Sequence, residues 1–305
     1  MKRNWRLETY LAVPVVLLTT VLLGACASTG GTMAPAVVLQ HAVTIVPAPA
    51  RKHLKVMTLN VAHGRRDGFH QALLDEVQIR DNLDRIAHVA RREAPDVLAL
   101  QEVDGPSAWS GDFGHVDYLA DKAGFSRSLR GSHTDGFGLD YGTALLAQHD
   151  LHDGASHVFA PSALTPPKGF VVAALAWPER PDVLVDVVSV HLDFFGDPVQ
   201  RRQAAELAEL LAARARPLVV MGDLNVEWQD ADGVLEQLMD ALSLSAYKGG
   251  TADLVTFPST GRRIDWILVS PEFRFVSYRV LPDTLSDHRA VIAEIILNSP
   301  AGLAP

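Results

Sequence analysis

Residue types that are able to bind metal ions or phosphate recur at the ends of predicted strands in this chain. Apolar runs such as residues 218–221 suit strands that are covered on both faces. Polar groups beside such strands are costly to bury unless they are paired or bind a metal ion. One of them is explained by a turn, but their recurrence predicts a single pocket at one edge of a sheet assembly. The positions are Asn60, Gln101, Glu102, His191, Asp193, Asp223, Asn225, Asp265, Asp287 and His288.

The elements that must position these side chains follow a mixed α/β pattern. Strands and helices alternate in the first part of the chain, and strands follow one another directly in the last part. Helical spacing of apolar residues predicts helices over 78–93, 198–214 and 233–242. Alternating or continuous apolar runs predict strands over 54–62, 96–102, 141–147, 171–177, 183–192, 218–221, 263–270, 273–281 and 290–297.

The composition is that of an ordinary globular protein. The chain has 305 residues, of which 48% are hydrophobic and 21% charged. No linker interrupts residues 53–298, so we expect one domain there, with residues 299–305 as a tail, and a monomer. The formal charge of −9 does not suggest a nucleic-acid surface, although a bound divalent cation can reverse the local field.

The first 25 residues are typical of a secretory signal peptide. Lys2, Arg3 and Arg6 precede an apolar stretch at 11–23 that is too short for a comfortable membrane span. The stretch ends in "LGAC", which resembles the lipobox of bacterial lipoproteins and implies lipidation of Cys26. An ordinary signal peptide with a chance cysteine remains the alternative.

Cys26 is the only cysteine, so no intramolecular disulfide can form. Residues 26–52 are rich in Ala, Gly, Thr and Pro, and they are predicted to tether the domain to a membrane lipid anchor. The expected location is the bacterial cell envelope, facing the periplasm or the cell surface. Ala27, where aspartate would signal inner-membrane retention in many enteric bacteria, favours the outer membrane.

Seven short motifs together resemble the endonuclease/exonuclease/phosphatase superfamily, whose fold is also called DNase I-like. In chain order they are "LNVAHG", "LQEV", "YGTALLA", "VSVHLD", "GDLN", "RRIDWILVS" and "SDHRAVIAEI". The resemblance implies an α/β (α+β) fold, a four-layer α/β sandwich of two packed, mainly antiparallel sheets flanked by helices. It also implies hydrolysis of a phosphoester by water, assisted by Mg²⁺ or Mn²⁺.

The resemblance assigns roles to nine residues. Asn60, Glu102 and Asp287 match the metal shell, with Asn60 also beside the phosphate. Asp223 matches the residue that positions or deprotonates the attacking water. Asn225 matches a residue that holds the phosphate or that aspartate.

The remaining matches concern the phosphate itself. His288 matches the histidine that contacts the phosphate, and Asp265 matches its orienting carboxylate. His191 is expected to donate to the phosphate or to protonate the leaving oxygen, and Tyr141 to bind a phosphate oxygen. Gln101 is expected to be structural, and the role of Asp193 is left open.

The substrate is less well determined by the sequence. His191 in "VHLD" is similar to the lipid and sugar phosphoesterases of the superfamily, so a phospholipid or another small phosphodiester is favoured over nucleic acid. An extracytoplasmic nuclease and a non-catalytic binding module on the same fold are the alternatives. Phe194 and Phe195 follow this motif, and we expect a buried pair rather than a contact to a lipid tail.

Overall fold

Two seven-stranded sheets form the centre of the protein. The computed structural model describes residues 32–42, 52–162, 165–228 and 233–298. The predicted signal peptide, Cys26 and the predicted tail lie outside these residues. No helix in the described part of the chain is long and apolar enough to cross a membrane.

The described residues contain fourteen strands and four α-helices. The strands are β1 (Ala34–Pro35), β2 (Val38–Gln40), β3 (Leu54–Asn60), β4 (Val97–Asp104), β5 (Arg127–Gly136), β6 (Leu139–Ala147), β7 (His152–Val158), β8 (Gly169–Trp177), β9 (Arg180–His191), β10 (Leu218–Asp223), β11 (Ser245–Ala246), β12 (Asp265–Val269), β13 (Phe273–Val280) and β14 (Val291–Leu297). The helices are α1 (Glu76–Glu93), α2 (His115–Ala123), α3 (Asp197–Ala212) and α4 (Val234–Leu242), and short 3₁₀ helices span Ala62–Gly64 and Gln71–Leu73.

Each sheet is antiparallel except for one parallel pair near its middle. The first sheet has the order β1-β7-β8-β9-β10-β12-β11, and β9 runs parallel to β10. The second has the order β13-β14-β3-β4-β6-β5-β2, and β3 runs parallel to β4. Because parallel neighbours end at the same edge of a sheet, each pair delivers two strand ends to one place.

Three apolar clusters define four layers. One cluster lies between the sheets and takes Val56 and Leu145 from the second sheet and Val187 and Ile267 from the first. The other clusters lie under α1 and α2 on one side and under α3 and α4 on the other. The four-layer α/β sandwich expected from the sequence is therefore confirmed.

The start of helix α1 differs slightly from the prediction, and the residues that cap the helix explain the difference. Asp75 and Gln78 form a capping box, in which each side chain accepts from the other residue's backbone N–H. This places the start of the helix at Glu76, two residues before the predicted start. The helix ends at Glu93, where Ala94 adopts the left-handed conformation ahead of Pro95.

Several elements were not predicted. The strand β7, with the sequence "HDGASHV", lacks an apolar alternation, and the strand β5 is rich in polar residues. The strands β1 and β2 lie inside the predicted tether, yet they pair with β7 and β5 at the same side of the sandwich. Part of that segment thus joins the edges of the two sheets, and Ala36 and Val38 pack against the core between them.

Gly222 is required for the close approach of β9 and β10. Its φ is +149°, and a Cβ there would lie 1.9 Å from the backbone oxygen of Val190. We expect Gly222→Ala to lower the free energy of unfolding by about 3 kcal/mol or more, because steric overlap adds to backbone strain. Gly124→Ala is the matched control, since Gly124 has φ +79° but no heavy atom within 4 Å of its Cβ position. Urea unfolding should give a loss of only about 1 kcal/mol for the control; equal losses in the two variants would contradict this account.

Candidate active site

Strand register brings the predicted residues to one edge of the sandwich. Asn60 ends β3 and lies opposite Gln101 of β4. Asp223 ends β10, between His191 of β9 and Asp265 of β12. The strands β3 and β4 also contact β9 and β10 across the space between the sheets. The two parallel pairs therefore deliver their polar ends to the same place.

Glu102 sits at an irregularity in β4. Its φ is +50°, and the register with β6 shifts at this residue, so the side chain leaves the regular alternation of the strand. Its Oε1 atom lies 3.5 Å from Lys168 Nζ and 4.0 Å from His191 Nε2, and its Oε2 atom lies 3.5 Å from His63 Nε2. Burial favours the neutral acid, but Lys168 and the nearby imidazoles lower the pKa of Glu102 well below its ordinary value. The carboxylate is thus ionised, with only long contacts to the groups around it.

Asp223 is buried at the centre of the cluster. Its Oδ2 atom accepts a hydrogen bond of 3.0 Å from Asn60 Nδ2, and its Oδ1 atom accepts one of 3.0 Å from the backbone N–H of Asn225. His191 Nε2 and His288 Nε2 lie 3.5 and 3.7 Å from Oδ2. Burial, together with the negative charge of Asp265, raises the pKa of Asp223. A carboxylate with a raised pKa is suited to accept a proton from water.

His288 and Asp265 form a buried pair. Nδ1 of His288 lies 2.9 and 3.1 Å from the two oxygens of Asp265, and Phe257 packs on the imidazole with 4.8 Å between ring centroids. Burial works against the charged imidazole, but the carboxylates of Asp265 and Asp223 outweigh it and raise the pKa of His288. The carboxylate of Asp265 holds the proton on Nδ1, so Nε2 is directed at Asp223.

His191 and Asn225 line the other side of Asp223. Asn225 Nδ2 donates to the backbone oxygen of Leu192 at 3.0 Å and lies 3.3 Å from His191 Nε2. Burial and the charge of Lys168 lower the pKa of His191, so this imidazole is neutral. In the structure Asn60 contacts the carboxylate of Asp223 with its side chain, whereas Asn225 does so through its backbone.

Two predicted residues have partners outside this cluster. Asp287 pairs with Arg65, with 2.5 Å between Oδ2 and Nη2, so a metal ion would have to share or displace that guanidinium. Tyr141 is buried, and its ring contacts the rings of His63 and Trp109 at centroid distances of 4.7 and 5.5 Å. Metal binding by Asp287 and phosphate binding by Tyr141 therefore stay predictions.

Three residues of the site were missed by the sequence analysis. His63 donates from Nδ1 to Asp104 at 2.7 Å and directs Nε2 at Glu102. Asp104 is fully buried and also accepts hydrogen bonds from Trp109 and Ser110. Lys168 is the third. His63 belongs to the "LNVAHG" motif and Asp104 ends β4, so both carried a sequence signal that was not used.

The structure offers two places for a divalent ion. Asp223, Asp265 and His288 have ligand atoms within 4.8 Å of one another. However, both oxygens of Asp265 lie against Nδ1–H of His288, and the raised pKa of this imidazole keeps Nε2 protonated, whereas a metal ligand must be deprotonated. Among the described residues, no hydrogen-bond donor lies closer than 3.5 Å to the carboxylate of half-buried Glu102. Its hard oxygens are ligands of the kind that a divalent cation such as Mg²⁺ or Mn²⁺ prefers.

The predicted burial of Phe194 and Phe195 is wrong. Phe194 is 61% exposed and Phe195 is 51% exposed, just beyond the end of β9. Asp193 is buried instead, where it accepts from Thr165 and from the backbone N–H of Phe195 and so shapes this loop. Gln101, which was expected to be structural, donates to Thr58 on the neighbouring strand β3 and to Ser189 on β9 of the facing sheet.

Comparison with known proteins agrees with this geometry. Residues 57–288 match the model of the Endonuclease/Exonuclease/phosphatase family. No curated protein matches the chain. Among solved structures, an endonuclease/exonuclease/phosphatase from Beutenbergia cavernae is similar with 24% identity and a TM-score of 0.66, over 81% of this chain and 72% of that chain.

Two further solved structures are also similar to this chain. The catalytic domain of human Nocturnin with a bound sulfate anion has 19% identity and a TM-score of 0.62, over 86% of this chain and 98% of that chain. A mannosyl-6-phosphatase from Bacteroides thetaiotaomicron has 17% identity and a TM-score of 0.59, over 80% of this chain and 100% of that chain. At these identities the likeness supports the fold.

Proposed function

The chain belongs to the endonuclease/exonuclease/phosphatase family, and on that premise we propose that it is a divalent-metal-dependent phosphoesterase. Members of this family are hydrolytic phosphoesterases. The observation that carries the proposal is the meeting of Glu102, Asp223, His191 and the Asp265–His288 pair, which come from five separate segments. A binding module on the same fold would not need this set of paired acids and imidazoles.

Each residue of the cluster has a chemical task in this proposal. Glu102, with Asn60 and Asp287 as further ligands, would hold a divalent ion, which would supply positive charge to offset the phosphoryl oxygens and the leaving oxygen. Asp223 accepts the proton of the attacking water, and the N–H groups of Asn60 and Asn225 fix its carboxylate.

The imidazoles and the phenol act on the phosphate. His288 donates from Nε2 to a phosphoryl oxygen, with its orientation fixed by Asp265. His191 donates to the phosphoryl group or the leaving oxygen, Asn225 Nδ2 lies beside it, and Tyr141 contributes its hydroxyl to a phosphoryl oxygen.

For the substrate we propose a phospholipid or another small phosphodiester with an apolar group. Phe194 and Phe195 lie three and four residues after His191, and their exposure offers an apolar surface at the mouth of the site. The net charge of −9 supports this choice over a nucleic-acid polyanion.

The double variant Phe194→Ser/Phe195→Ser tests this choice. We expect about tenfold slower hydrolysis of dispersed phospholipid, because each exposed ring contributes apolar contact area, and an unchanged rate on bis(p-nitrophenyl) phosphate. Val276→Ser is the control, since Val276 is 52% exposed on β13 at an outer edge of its sheet. Equal rates of the double variant and the wild type on phospholipid would sink the assignment of an apolar substrate.

A hydrolysis screen tests the proposed function as a whole. Purified protein is assayed with Mg²⁺, Mn²⁺ or EDTA on phospholipids, sphingomyelin, inositol phosphates, plasmid DNA and bis(p-nitrophenyl) phosphate. We expect turnover that EDTA abolishes; no turnover of any phosphoester would contradict the proposal. Cleavage of plasmid DNA that weakens steeply between about 50 and 200 mM salt would instead identify the nuclease alternative.

We further propose that the protein is anchored to the bacterial cell envelope through Cys26. Ala34, the first residue of β1, follows Cys26 by eight positions, which span about 29 Å at most. A lipid on Cys26 would hold the domain close to a membrane that contains the proposed substrate. Metabolic labelling with radioactive palmitate should mark the wild type and not Cys26→Ser; equal labelling would refute the anchor.

A further inference from the structure

Lys168 is a buried cation that no assigned role explains. It immediately precedes β8, whose first residue, Gly169, pairs with His191 of β9. Its side chain is only 7% exposed. The register thus fixes an ammonium group beside a catalytic imidazole, under the same edge of the sandwich.

The residues that the structure describes do not meet the hydrogen-bonding capacity of this ammonium. Lys168 Nζ lies 3.5 Å from Glu102 Oε1 and 3.4 Å from His191 Nδ1. Both distances exceed the 2.7–3.2 Å range that is usual for N–H donors, and an ammonium has three protons to donate. A buried charge without close partners is costly, so such an arrangement calls for another ligand.

A structural ion pair in the same protein looks different. Arg214 contacts the fully buried carboxylate of Asp186 at 2.7 and 2.8 Å, and Arg216 adds a third contact at 3.3 Å. That carboxylate is enclosed by its cationic partners. Lys168, in contrast, stands off from Glu102, which is the carboxylate that we assign to the metal ion.

His191 lies between two groups that can only donate. Lys168 Nζ lies 3.4 Å from its Nδ1, and Asn225 Nδ2 lies 3.3 Å from its Nε2. The neutral ring has one acceptor nitrogen, so it can accept a hydrogen bond from only one of these two groups. An acceptor such as a phosphoryl oxygen would satisfy the other.

We propose that Lys168 binds a phosphoryl oxygen of the substrate, as an additional cationic group of the site. The proposal rests on the proposed function for the identity of the anion. If Glu102 binds a divalent ion, its carboxylate is not available to accept hydrogen bonds from Lys168. A phosphoryl group beside His191 is then the anion that can accept them. A lysine binds such a group as a point charge, without the fork geometry of arginine.

Binding of inorganic phosphate tests this role without relying on turnover. Calorimetric titration with phosphate, at saturating Mn²⁺, is compared among the wild type, Lys168→Met, Lys168→Arg and Lys122→Met. Lys122 is the control because it is 48% exposed on α2. We expect Lys168→Met to weaken phosphate binding by about tenfold or more, and Lys168→Arg by less, because the charge is kept. Lys122→Met should bind phosphate as the wild type does.

A separate Mn²⁺ titration distinguishes a phosphate contact from a structural role. Removing a positive charge near Glu102 should leave the Mn²⁺ affinity of Lys168→Met equal to or higher than that of the wild type. Wild-type phosphate affinity in Lys168→Met, or a parallel loss of Mn²⁺ binding and thermal stability, would overturn the proposal. If Lys168→Met does not fold, Lys168→Gln takes its place in both titrations. Lysine-dependent phosphate binding in a protein that hydrolyses no phosphoester would refute the proposed function alone.

Discussion

Glu102→Gln is expected to slow metal-dependent phosphoester hydrolysis by a factor of about 10³, which corresponds to about 4 kcal/mol of transition-state stabilisation. The amide keeps the shape of the side chain but loses the charge that binds the ion. Because no described residue forms a close hydrogen bond with the Glu102 carboxylate, the variant should keep the thermal stability of the metal-free wild type. Added Mn²⁺ should then raise the melting temperature of the wild type and not that of the variant.

The control for this experiment is Glu272→Gln. Glu272 is exposed in the turn between β12 and β13, at the end of β12 opposite to Asp265. Its removal changes the net charge by the same amount and should leave hydrolysis unchanged. If Glu102→Gln keeps full activity and still responds to Mn²⁺, the assignment of the metal ion to this residue is wrong.

Asp265→Asn is expected to lower kcat by a factor of about 10³, with Mn²⁺ affinity changed by no more than about threefold. The carboxylate of Asp265 holds the Nδ1 proton of His288 and raises the pKa of the ring. An asparagine has no charge, so the pKa of the imidazole falls and the ring loses its second proton. When the carboxamide oxygen accepts from Nδ1–H, Nε2 of the neutral ring has no proton to donate.

This variant also decides between the two candidate metal positions. If the ion were bound by Asp223, Asp265 and His288, Asp265→Asn would remove a ligand and weaken Mn²⁺ binding by about tenfold or more. Calorimetry with Mn²⁺ and steady-state kinetics on the same preparation therefore separate the two possibilities. Asp182→Asn, in an exposed ion pair with Arg180, provides the matched control.

The sequence predicted the central strands of both sheets because their side chains are buried on both faces. The strands β10 and β4 begin with continuous apolar runs, and such runs can be recognised without long-range information. The strands β1, β2 and β7 were not predictable in this way. They are short or polar and depend on pairing with an edge that the local pattern does not describe.

The sequence predicted which residues form the site more fully than it predicted how they contact one another. The meeting of Glu102, Asp223 and His288 could be expected because strand ends share an edge. The exposure of Phe194 and Phe195 could not, because it depends on how the loop held by Asp193 leaves β9. Lys168 was missed because the sequence analysis looked for polar residues at the ends of strands, whereas Lys168 precedes a strand.

The anomalous signal of Mn²⁺ in crystals of the wild-type protein tests the central claim most directly. The claim is that side chains far apart in sequence surround one cation at Glu102, next to Asp223 and His288. We predict an anomalous peak about 2.0–2.3 Å from a Glu102 oxygen. A peak enclosed by Asp223, Asp265 and His288 with Glu102 unliganded, or no peak at this edge of the sandwich, would contradict it.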